Sequence, residues 1–293
     1  MTSKQPAHVA FIGFGEAATA FLSGWGEARP ADVRAYDIKT DNALMRQQLL
    51  DRYAAHGVAG MAQAEAALAG AEVVFSVVTA DQALAAAEAS APSLDPGALW
   101  LDCNSCSPGT KRRAAEIVEA AGGRYVDVAV MSPVYPKRHH VPLLVSGPHS
   151  KAAEALLRTL DMKPRIAGVE IGRASSIKML RSVMIKGMEA LAAECFLSAR
   201  RAGVEEEVIG SLEASDPDIR WREKGSYNLE RMMVHGARRA AEMEEVARTV
   251  AELGLGGGMS AATAQWQALI AGLAVEPGDD ELMVRADAIL SRL

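Results

Sequence analysis

The first residues with a chemical signature are the glycines of segment 9–21, VAFIGFGEAATAF, in which Ala18 completes a G-x-G-x-x-A pattern. The first glycine of such a turn allows a tight bend, and the second lets the backbone approach a pyrophosphate. The third small residue permits close helix packing. The helix that follows presents N–H groups and a dipole that favour an anion. The turn therefore predicts dinucleotide binding by Gly13, Phe14, Gly15, Glu16 and Ala17.

An acidic residue ends the next apolar run, at residues 33–36. Asp37 stands 24 residues after Gly13, where a hydrogen-bond partner for a ribose 2'-hydroxyl is expected. Its carboxylate would repel a 2'-phosphate, so NAD is the predicted cofactor. NADP is the alternative, because the neighbouring Lys39 could offset that repulsion.

Two cysteines in segment 101–108, LDCNSCSP, form a Cys-x-x-Cys. Cys103 and Cys106 could form a redox pair in which one thiol has a lowered pKa, or half of a zinc site. A closed zinc site needs four ligands, and no second Cys/His pair of suitable spacing follows. Because Cys195 stands alone and His139 is adjacent to His140, the sequence predicts no metal site.

A lysine opens the helical half of the chain, in segment 172–182, GRASSIKMLRS. Lys178 follows Gly172 by about two helical turns and has apolar neighbours. Its spacing alone fits either a solvated lysine or one with a chemical role.

These residues need an alternating framework of strands and helices to position them. Short apolar runs at residues 8–12, 33–36, 73–78, 99–102 and 125–130 alternate with alanine-rich segments, which predicts strand-helix units around a mostly parallel sheet. After about residue 172 only helical patterns remain. The predicted fold class is α/β: a doubly wound Rossmann-type sheet over residues 1–170, followed by an all-α domain over residues 171–293.

Composition limits the classes of partner. The formal net charge is -6 and the pI is near 5.6, so nothing attracts the chain to a nucleic acid. No apolar run approaches the ~20 residues of a membrane span, and the N-terminal segment lacks the pattern of a secretion signal. We expect a cytoplasmic protein with reduced cysteines and no membrane or nucleic-acid partner.

Four motifs, taken in order along the chain, resemble a known family. They are the GFGEAA turn, the VVT segment at 77–79, the D-x-N-S-x-x-P loop at 102–108 and the G-x-x-x-x-x-K segment at 172–178. Together they are similar to the β-hydroxyacid dehydrogenases. That group includes 3-hydroxyisobutyrate dehydrogenase and is related to 6-phosphogluconate dehydrogenase.

The resemblance implies an NAD(P)-dependent oxidoreductase that acts on a β-hydroxy acid or the corresponding carbonyl compound. It implies that Lys178 is the general acid/base and that Val78, Thr79 and Ser105 lie near the cofactor. Asn104 and Ser105 would contact a small anionic substrate. The resemblance also implies a homodimer or homotetramer built on the helical domain.

The sequence departs from the family pattern at two places near the expected substrate. The family usually has asparagine one turn after the lysine, and this chain has Ser182. After strand 125–130 the family has a serine and two glycines, and this chain has Met131, Ser132 and Pro133 in their place. We expect these four residues to contact a substrate that differs from the family's usual one.

Several other side chains have two interpretations. The basic run at residues 135–140 could receive an anion or be a solvated loop. Arg238 and Arg239 could extend toward the cleft, but a solvated helix face is favoured. Trp221 and Tyr227 could line a pocket for a larger substrate, but a place in the core is favoured.

Three rival functions remain at this point: an imine reductase, which resembles the same architecture, a Cys-x-x-Cys thiol oxidoreductase and a dinucleotide sensor without turnover. Lys178 favours hydroxy-acid chemistry over imine reduction. A thioredoxin-like fold would not explain the dinucleotide turn.

Overall fold

The computed structural model describes residues 5–293, and this part of the chain contains eight strands and eleven α-helices. The strands are β1 (His8–Ile12), β2 (Asp32–Tyr36), β3 (Ala59–Gly60), β4 (Val73–Ser76), β5 (Leu99–Asp102), β6 (Arg124–Val130), β7 (Pro142–Ser146) and β8 (Lys163–Gly168). The helices among the strands are α1 (Glu16–Trp25), α2 (Ala43–Ala55), α3 (Ala64–Leu68), α4 (Ala83–Ser90), α5 (Pro108–Ala120) and α6 (Ser150–Thr159). The helices after the strands are α7 (Arg173–Ala202), α8 (Glu205–Ser215), α9 (Trp221–Glu252), α10 (Gly258–Gly272) and α11 (Leu282–Leu290).

The strands form one sheet in the order β3-β2-β1-β4-β5-β6-β7-β8. All neighbours are parallel except β6 and β7, which pair antiparallel. From β1 the chain first adds strands on one side and then crosses to add β4 on the other. The carboxyl end of β1 is therefore the point where the strand order reverses, the usual ligand position in such sheets.

Both faces of the sheet are buried, which explains why its central strands are continuous apolar runs. Val9 and Phe11 of β1 pack with Phe21 of α1 on one face. Ala10 packs with Val118 of α5 on the other. The alternation along β1 follows the two-residue period of a strand, and α1 and α5 cover opposite faces.

The helical part has a core of its own, which includes Phe196, Leu229, Met232, Ile270 and Ile289. Helices α9 and α10 pack along each other. No helix in the described part of the chain combines the length and apolar composition needed to cross a bilayer.

The α/β class and the helical second half are confirmed. The sequence predicted a helical second half without the bounds of its helices, and the structure gives these for α8 and α9. The chain divides into two compact units between Met179 and Leu180, rather than at residue 170. The first two turns of α7 therefore belong with the sheet unit, and the substrate and oligomer roles of the helical unit stay predictions.

Candidate active site

The turn after β1 requires glycine at position 13. Gly13 has a φ of 86°, in the region that favours glycine, and a Cβ added there would lie 2.8 Å from the carbonyl oxygen of Val77. Its N–H donates to the carbonyl oxygen of Tyr36 at 2.8 Å. Because Tyr36 ends β2 and Val77 follows β4, the turn is held against both neighbours of β1.

Asp37 fixes this turn from the end of β2. Its Oδ2 accepts a hydrogen bond from the N–H of Phe14 at 2.8 Å, and its Oδ1 accepts one from the N–H of Lys39 at 3.0 Å. The sequence indicated only a ribose partner at this position. In the structure the carboxylate also holds the glycine turn in place, because it accepts a hydrogen bond from the backbone of that turn.

The space in front of α1 is open. Gly15, the N-cap residue, has no side-chain cap in the described structure, and a Cβ added there would meet no atom within 4 Å. Glu16 and Ala17 form the first turn, where helix N–H groups lack intrahelical acceptors. The side chain of Phe14 is buried, with its ring 4.8 Å from that of Tyr53, so it does not line the open space. An open approach to the N-terminus of α1 fits a dinucleotide pyrophosphate.

Val78 and Thr79 lie in the segment that follows β4, at the same edge of the sheet. Val78 is half-buried and its Cγ1 lies 2.9 Å from a Cβ placed on Gly13, whereas Thr79 is exposed. The two predicted cofactor residues thus adjoin the glycine turn.

Lys178 and Ser105 are brought together although 73 residues separate them. The Nζ of Lys178 donates to the Oγ of Ser105 at 2.5 Å. Ser105 lies in the loop after β5, and Lys178 lies in the second turn of α7. A primary amine and a hydroxyl in contact can hold and pass a proton to a bound oxygen atom.

Asn104 holds that loop in place through hydrogen bonds of its side chain. It is buried, and its amide nitrogen donates to Asp102 Oδ1 at 2.7 Å and to Ser76 Oγ at 2.9 Å. The contact with the carboxylate fixes which amide atom is the nitrogen. Its Oδ1 is buried and has no hydrogen-bond partner among the described residues.

The two cysteines of this loop are structural in character. Cys103 and Cys106 are both buried and unbridged, and burial raises the pKa of the Cys103 thiol to about 12. A redox-active thiol needs the opposite shift. The environment of Cys103 therefore disfavours the thiol oxidoreductase alternative.

The predicted substrate residues after β6 form a connecting loop. Met131 and Ser132 are half-buried and Pro133 is exposed. The N–H of Met131 donates to the carbonyl oxygen of Pro142, which holds the start of the loop beside β7. Ser182 is buried and belongs to the second compact unit.

One group in the described part of the chain has the spacing of a metal site: His139, His140 and Asp161, whose ligand atoms lie within 4.8 Å of one another. Asp161 Oδ2 is 2.7 Å from His140 Nε2, and Asp161 Oδ1 is 3.1 Å from Lys163 Nζ. The Nδ1 of His139 is buried without a partner among the described residues, whereas a metal-bound imidazole normally donates its other ring N–H. The nearby ammonium and this ring nitrogen disfavour a cation. The group is instead a hydrogen-bonded cluster that ties the basic loop at residues 135–140 to Asp161.

In the helical unit, Arg239 corrects the expectation of a solvated face. It is buried and pairs with Glu189, which also accepts from Gln267 at 2.8 Å. Tyr227 is 55% exposed, so it is not the core residue that was favoured, while Trp221 packs against the helical core.

Sequence reasoning missed a buried lysine beside the site. Lys111, in the first turns of α5, is fully buried and lies 2.9 Å from Asp102 and 3.5 Å from Asp127. The spacing of Ala114 and Ala115, three and four residues after Lys111, could have indicated this burial, since it places position 111 on the inner face of α5.

Two family models match the chain. Residues 8–161, more than half of it, match the NAD binding domain of 6-phosphogluconate dehydrogenase. Residues 199–270 match a domain of unknown function, DUF1932.

Solved structures extend the likeness over the whole chain. A conserved hypothetical protein from Sinorhizobium meliloti 1021 is 37% identical, with 100% of this chain and 98% of that chain covered and a TM-score of 0.78. A conserved protein of unknown function, MTH1747, described as structurally similar to 3-hydroxyacid dehydrogenases, is 28% identical, with 98% and 99% covered and a TM-score of 0.69.

A named dehydrogenase shares the fold. The 3-hydroxyisobutyrate dehydrogenase of Mycobacterium tuberculosis, solved with L-serine, is 19% identical, with 97% of this chain and 98% of that chain covered and a TM-score of 0.71. At this identity the likeness shows a common fold.

Proposed function

Because the chain belongs to the family of the NAD binding domain of 6-phosphogluconate dehydrogenase, we propose that it transfers a hydride between NAD(P) and a β-hydroxy acid, with Lys178 as general acid/base. The observation that carries the proposal is the 2.5 Å contact between Lys178 Nζ and Ser105 Oγ. Ser105 follows β5 and Gly13 follows β1, and both strands run parallel in the sheet. The amine and the dinucleotide turn therefore lie at one edge of the sheet.

Lys178 handles the proton of the reaction. In the oxidation direction its neutral amine accepts the proton of the substrate hydroxyl, and in the reduction direction its ammonium returns a proton to the carbonyl oxygen. Ser105 holds the nitrogen in place through its hydroxyl. Bound NAD(P) supplies the hydride acceptor or donor.

The other predicted site residues would bind the cofactor or the substrate. Gly13 and Gly15 admit the pyrophosphate, and the Asp37 carboxylate favours NAD over NADP because it would repel a 2'-phosphate. Ser132 and Ser182 offer hydroxyls where the family has other groups, so the acid recognised differs from that of 3-hydroxyisobutyrate dehydrogenase.

The direct test is the Lys178→Met variant, assayed at 340 nm with a panel of 3-hydroxy acids and their carbonyl products, using NAD and NADP. Loss of the proton carrier should lower kcat by about 10²–10⁴-fold, while calorimetry should show NAD(P)H affinity within about twofold of wild type, because Lys178 lies outside the glycine turn. The matched control is Lys151→Met, which removes an exposed lysine from the first turn of α6 and should leave kcat unchanged.

Two results would overturn this proposal. Wild-type kcat in Lys178→Met would remove the lysine from the chemistry. A wild-type enzyme that turns over no member of the panel and binds neither NADH nor NADPH would remove the dehydrogenase function.

A further inference from the structure

A buried ion-pair network lies behind the contact between Lys178 and Ser105. At its centre the Nζ of Lys111 donates to the carbonyl oxygen of Asp102 at 2.6 Å and lies 2.9 Å from Asp102 Oδ1. The same Nζ lies 3.5 Å from Asp127 Oδ1. All three side chains are at most 1% exposed. Burial alone would lower the pKa of Lys111, but the nearby Asp102, Cys106 and Asp127 raise it above its ordinary value, so the lysine stays charged.

One branch of the network holds the loop that carries Ser105. Asp102 Oδ1 accepts from the N–H of Asn104 at 3.0 Å as well as from its side-chain amide. Asp102 Oδ2 accepts from the hydroxyl of Tyr125 at 2.6 Å. Burial and the charge of Asp102 raise the pKa of Tyr125, so this hydroxyl remains a donor. The backbone next to Ser105 is thus anchored to a carboxylate that is itself fixed.

The other branch holds the start of the helix that carries Lys178. Asp127 Oδ2 accepts from the N–H of Ser175 at 3.0 Å, and Asp127 Oδ1 accepts from the Ser175 hydroxyl at 2.5 Å. Ser146 accepts from the N–H of Ala174 and donates to Asp127 Oδ2, both at 3.0 Å. A carboxylate from β6 therefore caps α7 across 48 residues of sequence. Lys178 follows Ser175 by three residues, so it lies on the same helix face one turn later.

We propose that Asp102, Lys111 and Asp127 are positioning residues, which together set the placement of Lys178 relative to Ser105. The inference rests on the proposed role of Lys178. Lys111 joins the two branches: one carboxylate fixes the Ser105 loop, the other fixes the first turn of α7, and the shared ammonium fixes the two carboxylates relative to each other. A distance between two catalytic groups on different elements is thereby determined by a single buried cation.

Stability alone does not account for such a network. Placing charges in a protein interior costs several kcal/mol of solvation per ion, and well-packed apolar residues of similar volume are often as stable. What the charges add is directionality, because each carboxylate oxygen has defined donors at defined distances. A small displacement of a reacting group can lower a rate by about 10²-fold, so this directionality has a catalytic consequence.

The test removes one hydroxyl from each branch. Ser175→Ala loses the side-chain bond to Asp127 and retains the N–H bond, and Tyr125→Phe loses only the hydroxyl that Asp102 accepts. Each should lower kcat about tenfold, by misplacing Lys178, and should shift the pH midpoint of kcat by about half a unit or more, as a change in the surroundings of Lys178 requires. NADH affinity from calorimetry should stay within about twofold.

Ser176→Ala is the matched control, since it removes a neighbouring hydroxyl of α7 that bonds the carbonyl oxygen of Gly172. Its kcat and pH profile should match wild type. The double variant of Ser175 and Tyr125 should lose less than the product of the two single losses, because both act on one placement.

The outcomes separate this inference from the proposed function. If Lys178→Met loses turnover while Ser175→Ala and Tyr125→Phe keep wild-type kcat and pH profile, with or without a lower Tm, the network is only structural and the inference is wrong. If Lys178→Met keeps turnover, both proposals fail. A fall in kcat with an unshifted pH profile and an equal fall in Ser176→Ala would also overturn the inference.

Discussion

Solvent access distinguishes the three cysteines, and this decides how each thiol reacts. Cys103 and Cys106 are buried, and Cys195 is exposed. The thiolate is the reactive form of cysteine, and burial raises the pKa of Cys103 to about 12, so at pH 8 Cys103 is protonated as well as inaccessible. The chain therefore has one thiol for a reagent in solution to reach.

We predict that the folded protein reacts with one equivalent of a thiol reagent such as dithionitrobenzoate at pH 8, and with three in denaturant. Burial also raises the pKa of Cys195, so this one reaction should be slower than that of a free cysteine. Absorbance at 412 nm measures the count. The Cys195→Ser variant should show no reaction in the folded state, and one or two equivalents in that variant would contradict the structural role of Cys103 and Cys106.

Spacing along the chain identified residues whose role is local and missed those defined by distant contacts. Gly13, Gly15 and Asp37 belong to one turn and one strand end, so a short pattern contains them. Lys178 was visible only through a family resemblance, because its contact with Ser105 spans 73 residues. Lys111 gave a weaker signal, since a lysine on a helix is usually solvated and its two carboxylate partners come from β5 and β6.

At the scale of elements, Gly13 and Gly15 occupy one turn for different reasons. Gly13 has a positive φ and no room for a Cβ, whereas Gly15 has a φ of -97° and open space where a Cβ would stand. The first is required by the fold of the β1–α1 turn. The second is required only if something approaches the backbone there.

We therefore predict that alanine at position 13 mainly lowers stability, whereas alanine at position 15 mainly weakens cofactor binding. Gly13→Ala should lower the free energy of unfolding by about 1–3 kcal/mol, because it combines backbone strain with a 2.8 Å contact to Val77. Gly15→Ala should cost at most about 1 kcal/mol, as an N-cap change, and should weaken NADH binding at least tenfold by filling the space for the pyrophosphate. Urea unfolding and calorimetry measure the two quantities. Unchanged NADH affinity in Gly15→Ala would contradict dinucleotide binding at this turn.

The long helix α9 shows why element boundaries in the second half were difficult to predict. Gly225 and Gly236 interrupt its sequence pattern and are poor helix formers. Each is needed for packing: a Cβ at Gly225 would lie 2.6 Å from Phe196, and one at Gly236 would lie 2.6 Å from the carbonyl oxygen of Gln267. A glycine that admits a neighbouring helix has the same local appearance as one that ends a helix, so tertiary packing decides between them.

For the molecule as a whole, partly or fully buried histidines make the stability of the fold depend on pH. Burial is the main cause of a lowered pKa at His8, His56, His139 and His235, and nearby arginines contribute at all of these except His139. Each is therefore neutral in the folded protein at a pH where the unfolded chain, with an ordinary pKa near 6.5, takes up a proton. Above this pH both states are neutral. Below it the unfolded state binds more protons, and stability falls until the pH passes the lowered pKa of the folded state.

We predict that the free energy of unfolding decreases between pH 7.5 and pH 5.5. One fully suppressed histidine contributes a slope of at most about 1.4 kcal/mol per pH unit, and half-exposed His56 and His235 contribute less than buried His8, because solvent reduces the penalty for their charge. The carboxylates with lowered pKa, such as Asp81 and Asp287, lose their stabilising charge only at more acidic pH, so this window isolates the histidines. Urea unfolding at three pH values measures the slope. His8→Phe should reduce it, since the ring is replaced by one that cannot titrate, and a stability that is level or rises toward pH 5.5 would show that these histidines are protonated in the folded protein.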